Sequence, residues 1–391
     1  MSKEHEKLQK YWKCTRKIIK PILTRLYGYT FKDAPKIEGN YLVVCNHNSN
    51  LDPWILSLSF EQQMYFLAGE NVFRLGFLSW LVKTFWAPIS KLKGKSDVTA
   101  MMQLIRHLKD GHNASLFPEG NRSFNGETNE ILPAIGKLAK VSGAGLVTFK
   151  IEGLYFATPR WGNFIRKGKT QGAVVNVYSA ETLKSMSVEE VHKAIIEDLH
   201  ENAYETQSKN PVKFKNRKRA ECIESALYIC PNCKAIGSLR SKKHHFHCVE
   251  CNAKAEFTEY GYIEGDFGFK TVLDWDKWQE KELLAKIDIA IEQKSTEPIL
   301  WDDDLELKVI DIDHNEKTIA AGRFELYLDK ITVGNKEIFY SELVDMAMTY
   351  RRTLVFSTKQ NENYQIFSKT FRCARHYLLA QKYIRKQLGL C

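Results

Sequence analysis

No run of roughly 18 uninterrupted apolar residues, the length that crosses a bilayer, occurs in the sequence. The best candidate, Phe73 to Ile89, is broken by Lys83 and Thr84, so no transmembrane helix is expected. The N-terminus scatters charges through its apolar positions and has no continuous hydrophobic stretch, which argues against a secretory signal. Without export, the nine cysteines belong in a reducing cytosol, where regular spacing points to metal rather than disulfides. Internal repeats and low-complexity tracts are also lacking. Acidic residues are in deficit: 57 Lys and Arg stand against 47 Asp and Glu, and the net charge of +10 favours phosphorylated metabolites, anionic lipid or nucleic acid. With 391 residues, 44% of them apolar and 27% charged, the chain can form two or three domains with ordinary cores.

Residues 8 to 27 set Leu8, Tyr11, Trp12, Ile19, Ile22, Leu23 and Leu26 at helical spacing among lysines and arginines, with Pro21 expected to kink the helix. Such a basic amphipathic helix either packs on its own domain or lies on anionic lipid. Residues 72 to 86, rich in Phe and Trp around Arg74 and Lys83, pose the same choice. From Tyr41 to about Ser179, short apolar runs ("YLVVC", "MYFLAG", "ASLFPEG", "GLVTFKIEG", "GAVVNVYS") alternate with helical patterns such as Val98 to Lys109. That alternation predicts an α/β domain with a mixed or largely parallel sheet. Val188 to Thr206 is expected as one closing helix, followed by a linker or solvated loop, "SKNPVKFKNRKRA".

Within "VVCNHNSNLDPWIL", residues 43 to 56, His47 and Asp52 lie five positions apart. On one straight helix that spacing leaves the side chains about 140° apart and out of reach. At a strand-to-helix junction the loop "NHNSN" can fold His47 back toward Asp52, which reads as the helix N-cap ahead of Pro53. A second segment, "LFPEGNRS" (116 to 123), also leaves a strand, turns at Pro118 and Gly120, and presents Glu119 and Arg122 from a loop.

Together these segments resemble the signatures of the glycerolipid acyltransferase family, His-x4-Asp and Phe-Pro-Glu-Gly-x-Arg, about 70 residues apart, over roughly residues 30 to 205. The resemblance implies an α/β acyltransferase of the 1-acylglycerol-3-phosphate type beside a membrane surface. It makes His47 the general base toward a lipid hydroxyl, with Asp52 holding the imidazole's tautomer. It makes Arg122 a planar fork for the acceptor phosphate, Glu119 a residue that fixes the acceptor or its loop, and Gly120 a point of close backbone approach, with Asn46 and Ser123 flanking. Members also carry an Ile-Pro-Val-Asp-Arg-like block. Here "APISKLKGK" takes its place, so Lys91, or Lys93 after a shift, supplies point charge where the family has a fork. Thr148 occupies a position where the family has a proline, with Lys150 nearby.

"YICPNCKAIGSL…HHFHCVEC" holds two CxxC knuckles, Cys230/Cys233 and Cys248/Cys251, with 14 residues between the inner cysteines. Four thiolates closing on one ion predict a structural tetrahedral zinc, and the segment resembles a zinc ribbon. His244, His245 and His247 read as surface residues. Residues 303 to 369 alternate like strands and "FRCARHYLLAQKYIRKQL" closes as an amphipathic helix, a pattern that loosely resembles pleckstrin-homology-like domains of the bacterial or GRAM type.

The expected architecture is therefore α/β with extra modules. An N-terminal basic helix (1–30) precedes an acyltransferase domain with a mixed sheet flanked by helices (31–210). A basic linker and zinc ribbon (211–262), a helical connector (263–298) and a β domain capped by a C-terminal helix (299–391) follow. The expected activity is acyl transfer from acyl-CoA or acyl carrier protein to lysophosphatidic acid, in phospholipid synthesis, by a cytoplasmic protein peripheral to a membrane. Glycerol 3-phosphate or another lyso-glycerolipid is the alternative acceptor. From a different class comes a zinc-ribbon module that docks nucleic acid or protein; nucleic acid is not the expected partner, because the ribbon accounts for fewer residues than the two signatures.

Overall fold

The structure, a computed structural model, describes residues 3–69, 88–91, 97–311, 315–349, 351–368 and 373–390. The aromatic stretch expected as a helix at 72 to 86, and Lys93, lie outside the described residues. The chain forms two compact units, Met1–Arg160 with Ile165–Asn216, and Trp161–Phe164 with Arg217–Cys391.

In the first unit the elements run α1 (Lys3–Tyr27), β1 (Tyr29–Phe31), β2 (Tyr41–Cys45), α2 (Asp52–Leu58), β3 (Met64–Gly69), β4 (Ile89–Lys91), α3 (Asp97–Lys109), β5 (Asn113–Leu116) and α4 (Ala134–Ser142). They continue with β6 (Gly145–Glu152), α5 (Leu154–Ala157), β7 (Thr170–Tyr178), α6 (Ala180–Ser185), α7 (Val188–Leu199) and α8 (Ala203–Lys209). The strands form one sheet of order β1-β7-β6-β2-β5-β3-β4, parallel except for the antiparallel β6/β7 pair. This is the mixed α/β sheet the alternation predicts.

Central β2 is buried at every position, which explains the unbroken run YLVVC: a strand covered on both faces has no polar side. On one face Leu42, Val44, Leu116 and Leu146 join Leu104 of α3, Leu138 of α4 and Ile195 of α7 in a common core. On the other, Phe60 lies 5.8 Å from the rings of both Tyr41 and Phe149. The neighbours β2 and β5 run parallel with Val44 opposite Leu116. The loops after both strands therefore leave the same carboxyl edge of the sheet, where open α/β folds place their sites.

Helix α1 continues through Pro21 as one element to Tyr27. Its apolar residues are divided between a packed side and an open one. Leu8, Trp12 and Leu23 are buried, and the Trp12 indole donates to the Phe60 carbonyl, while Ile18, Ile22 and Leu26 remain 64%, 49% and 55% exposed. The basic run is exposed from Ser208 to Pro211 and is anchored further on, where Phe214 is buried and Lys215 pairs with Lys167 through backbone bonds in both directions.

The expected closing helix from Val188 to Thr206 is two helices. The chain turns at His200, and Asn202 caps the second helix by accepting from the amides of Tyr204 and Glu205. Thr148, standing where the family has proline, sits at a β-bulge. Its hydroxyl accepts from the Asn176 amide at 3.0 Å and donates to Asp198 at 2.8 Å, so the bulged backbone stays satisfied.

In the second unit, β8 (Leu239–Lys242), β9 (His245–Cys248), β10 (Lys254–Phe257) and β11 (Ile263–Gly265) make a small antiparallel sheet. Helix α9 (Val272–Glu292) follows. Strands β12 (Leu300–Ile310), β13 (Glu316–Leu326), β14 (Lys330–Val333), β15 (Lys336–Phe339), β16 (Leu343–Thr349), β17 (Thr353–Thr358) and β18 (Asn363–Phe367) then form an antiparallel sheet of order β15-β14-β13-β12-β18-β17-β16, closed by α10 (Arg375–Gln387). The expected connector is in fact core. Leu283 and Ile287 of α9 share one apolar cluster with the sheet and with Tyr377, Ala380 and Ile384 of α10. Asp276 of α9 pairs with Arg375 of α10, and the buried Gln279 carbonyl oxygen accepts from the amides of Tyr228 and Ile229 beside the first cysteine knuckle.

Candidate active site

His47 lies in the loop between β2 and α2. Its Nδ1 is 2.8 Å from Asp52 Oδ2, and Asp52 is fully buried. The same oxygen accepts from the amides of Asn48 (2.6 Å) and Ser49 (2.8 Å). Asp52 is thus not the N-cap expected from the sequence. Leu51 takes that position, and Asp52 in the first turn reaches back into the loop before it. A carboxylate oxygen is acceptor-only, so the bond requires the proton on Nδ1, and in the neutral ring Nε2 then keeps its lone pair. The imidazole stacks on Phe117, ring centres 4.4 Å apart, and keeps 19% of its side-chain surface open.

The second loop closes on the first through backbone bonds. Glu119 Oε1 accepts from the His47 amide at 2.6 Å, and the Ser123 amide donates to the His47 carbonyl at 2.9 Å. Glu119 Oε2 accepts from the Asn129 amide and side chain at 2.7 and 2.9 Å. Burial raises this carboxyl to about 8, against the bonds from Asn129 and His47 that pull it down. Of the two roles the sequence left for Glu119, the geometry matches ordering of the loop, since both oxygens are occupied by protein donors.

Gly120 makes the turn with φ +69°, its amide donating to the Phe117 carbonyl at 3.1 Å. A Cβ there would meet open space, so what requires glycine within the protein itself is the left-handed backbone. Arg122 is half-buried. Burial lowers its guanidinium from the usual value, while the nearby Asp52 charge raises it. Arg160 donates to the Arg122 carbonyl at 3.0 Å and covers the Phe124 ring at 4.3 Å, supporting this turn. Lys91 ends β4, whose parallel pairing with β3 brings its backbone to the same sheet edge; its side chain lies outside the described residues.

Three further residues, Asn48, Asn129 and Glu201, carry little sign in the sequence. Asn46 Nδ2 donates to the Ile151 carbonyl (2.9 Å) and to Glu201 Oε2 (2.7 Å), its Oδ1 accepts from the Ile151 amide (2.8 Å), and Asn48 Nδ2 also reaches Glu201 Oε2 (2.8 Å). Glu201 and Asn129 belong to no local motif, and the only clue to Asn48 was its place between His47 and Asp52.

In the second unit the four cysteines fit one ion. Sγ to Sγ distances are 3.7 Å for Cys230/Cys251 and for Cys233/Cys248, close to the ~3.8 Å edge of a tetrahedron with metal–sulfur bonds of about 2.3 Å. They are too long for a disulfide, and all four sulfurs lie within 4.8 Å of one another. The knuckles repeat one geometry: Lys234 and Asn252 take φ +62° and +61°, and their amides donate to the Cys230 and Cys248 carbonyls at 2.9 and 3.1 Å. His244 and His245 instead cluster with Glu256, whose carboxylate already holds Arg219.

Among the described residues no helix is long and apolar enough to cross a membrane. Residues 25–152 match the family model described as acyltransferase. A 1-acyl-sn-glycerol-3-phosphate acyltransferase of Borreliella burgdorferi is 23% identical over 117 residues, covering 30% of this chain and 46% of that protein, so the match spans less than half of the relative's length. The crystal structure of the 1-acyl-sn-glycerophosphate acyltransferase PlsC from Thermotoga maritima aligns over 54% of this chain and 85% of that one, with 24% identity and a TM-score of 0.43. Residues 25–152, which carry both loops, thus form a domain of the acyltransferase family.

Proposed function

We propose that the chain moves a fatty acyl group from a thioester, acyl-CoA or acyl carrier protein, to the free hydroxyl of lysophosphatidic acid, giving phosphatidic acid. The observation that carries this reading is the 2.8 Å pairing of His47 Nδ1 with buried Asp52, which leaves Nε2 as the proton acceptor on a partly open ring. The acceptor hydroxyl gives its proton to Nε2 as its oxygen attacks the thioester carbonyl carbon. Asp52 stabilises the imidazolium that forms. The tetrahedral intermediate then expels the thiolate, which takes the proton from Nε2 and leaves as free thiol. The nucleophile belongs to the substrate, so no acyl-enzyme is needed.

Arg122, with Lys91 as a second cation, binds the acceptor phosphate in this reading. Glycerol 3-phosphate or another lyso-glycerolipid would satisfy the same groups and is the second reading for the acceptor. Peripheral docking on anionic lipid is supported by the exposed Ile18, Ile22 and Leu26 of α1 among its lysines. We assign the four cysteines to one structural zinc, because a set of four sulfurs leaves no position for water; when bound, the ion would cross-link the two knuckles. Residues 299–391 are read as a pleckstrin-homology-like domain.

The test is thiol release from acyl-CoA and from acyl carrier protein on liposomes containing lysophosphatidic acid or other acceptors. Release that depends on lysophosphatidic acid supports the reading. Salt-sensitive nucleic-acid binding with no thiol release from any donor would replace it with the docking module.

A further inference from the structure

Glu201, like Glu119, is a deeply buried carboxyl bonded to this loop, and the proposed chemistry does not use it. It occupies the break between α7 and α8, where the chain turns inward. Its Oε2 accepts from the side-chain amides of Asn46 (2.7 Å) and Asn48 (2.8 Å), the residues on either side of His47. Its backbone is fixed in turn. The Glu201 amide donates to Thr128 Oγ1 at 2.8 Å, and the Thr128 amide donates to the Glu201 carbonyl at 3.0 Å. Thr128 precedes Asn129, which holds Glu119, and Glu119 holds the His47 amide. The bonds make a closed circuit that passes through the His47 loop: Glu201, Asn46 and Asn48, His47, Glu119, Asn129, Thr128 and back to Glu201.

We propose that Glu201 is a positioning residue for the base, an acceptor that fixes both neighbours of His47 and so holds the imidazole on Asp52. The inference rests on the acyl-transfer reading only where it speaks of rate. Its Oε1 is buried without a partner among the described residues, a place that suits a neutral acid better than a full negative charge. The charged groups acting on it are Glu152 and Glu119, which oppose ionisation, and Lys150, which favours it. Burial is the largest influence and raises the carboxyl to about 8. Glu119 supports the His47 backbone from one side and Glu201 supports the flanking side chains from the other, so removing Glu201 releases the loop while leaving Asp52 intact.

The experiment compares full-length wild type, Glu201→Gln and Glu201→Ala by two readouts. The first is the tautomer of His47, from NMR of histidine labelled with nitrogen-15 and assigned with His47→Gln. The second is kcat and KM for thiol release. A glutamine carries the same acceptor oxygen on a neutral group. Glu201→Gln should therefore keep His47 with its proton on Nδ1 and retain kcat within about fivefold, the scale of one hydrogen bond. Glu201→Ala should give mixed tautomers and a kcat reduced about 10²-fold with KM for the acyl donor little changed, as expected for a misplaced base. Should the alanine variant fail to fold, Asn48→Ala, which loses one of the two bonds, should lower kcat about tenfold. The proposal is overturned if Glu201→Ala, or Asn48→Ala in its place, leaves tautomer and kcat unchanged, or if Glu201→Gln is as impaired as the alanine variant. A wild type that releases no thiol defeats the acyl-transfer reading instead, and the tautomer measurement then decides the positioning role alone.

Discussion

Asp52→Asn separates the charge of the His47 partner from its shape. Oδ2 takes three bonds, from His47 Nδ1 and the amides of Asn48 and Ser49, whereas Oδ1 is buried without a partner among the described residues. The asparagine carbonyl can accept the same three, which keeps the loop and the tautomer. Its NH2 then lies where no acceptor waits, at a stability cost of about 1–3 kcal/mol. What disappears is attraction to the imidazolium formed as the hydroxyl proton moves. Two unit charges about 4 Å apart at an effective dielectric of about 20 attract by about 4 kcal/mol. At 1.36 kcal/mol per decade this corresponds to about 10³ in rate. Thiol release with saturating acyl-CoA and lysophosphatidic acid liposomes should show kcat down by that factor and both KM values near wild type. A folded Asp52→Asn protein within tenfold of wild-type kcat would refute the reasoning.

Arg122→Ala should raise KM for the phosphorylated acceptor at least tenfold while leaving KM for the donor unchanged; Arg122→Lys should recover only part, since a point charge lacks the bidentate fork. Glu119 and Glu201 both hold their protons in the fold up to about 8, whereas the unfolded chain releases them near 4.5. The stability each contributes is complete below 4.5 and falls by about 1.4 kcal/mol per pH unit as pH rises toward 8, then levels off. Stability from urea unfolding between pH 5.5 and 8 should fall with the two slopes combined, about 2.8 kcal/mol per unit, and Glu119→Gln should halve that slope; a slope unchanged by the substitution would place the proton elsewhere. Metal analysis should find one zinc per chain, and Cys233→Ser with Cys251→Ser should abolish it and lower the unfolding temperature of the second unit. Ile18→Asp with Ile22→Asp should cut sedimentation with anionic liposomes several-fold without altering far-ultraviolet dichroism, because both side chains face outward on α1.

The sequence displayed the parts of the site whose chemistry is local. His47 and Asp52 lie in one loop, and their turn-forming neighbours announce it. The cysteine spacing dictates the knuckle geometry by itself. The meeting of "NHNSNLD" with "FPEGNRS" followed from the family signatures but not from spacing, because it depends on β2 and β5 becoming parallel neighbours. The roles of single carboxyls were harder to read. Asp52 looked like a cap because its position and Pro53 are those of one, and only the fold of the loop directs its oxygen backward. Glu119 leaves two roles open in one dimension, fixing the acceptor or ordering its loop; it is the 2.6 Å bond to the His47 amide, 72 positions away, that gives it a protein partner. Glu201 carries no periodic or motif signal, and the helical pattern around it concealed the break in which it sits. Helix α9 read as a connector because its apolar residues, Leu283 and Ile287 among them, have meaning only against strands that come later in the chain.

The central claim is that one imidazole, aligned by a buried carboxylate, removes the proton from a lipid hydroxyl. Its most direct measurement is the kcat of lysophosphatidic-acid-dependent thiol release by purified His47→Ala beside wild type on the same liposomes. The account predicts a fall of about 10²–10⁴-fold with the protein still folded and metal-loaded. Full activity in that variant would contradict it.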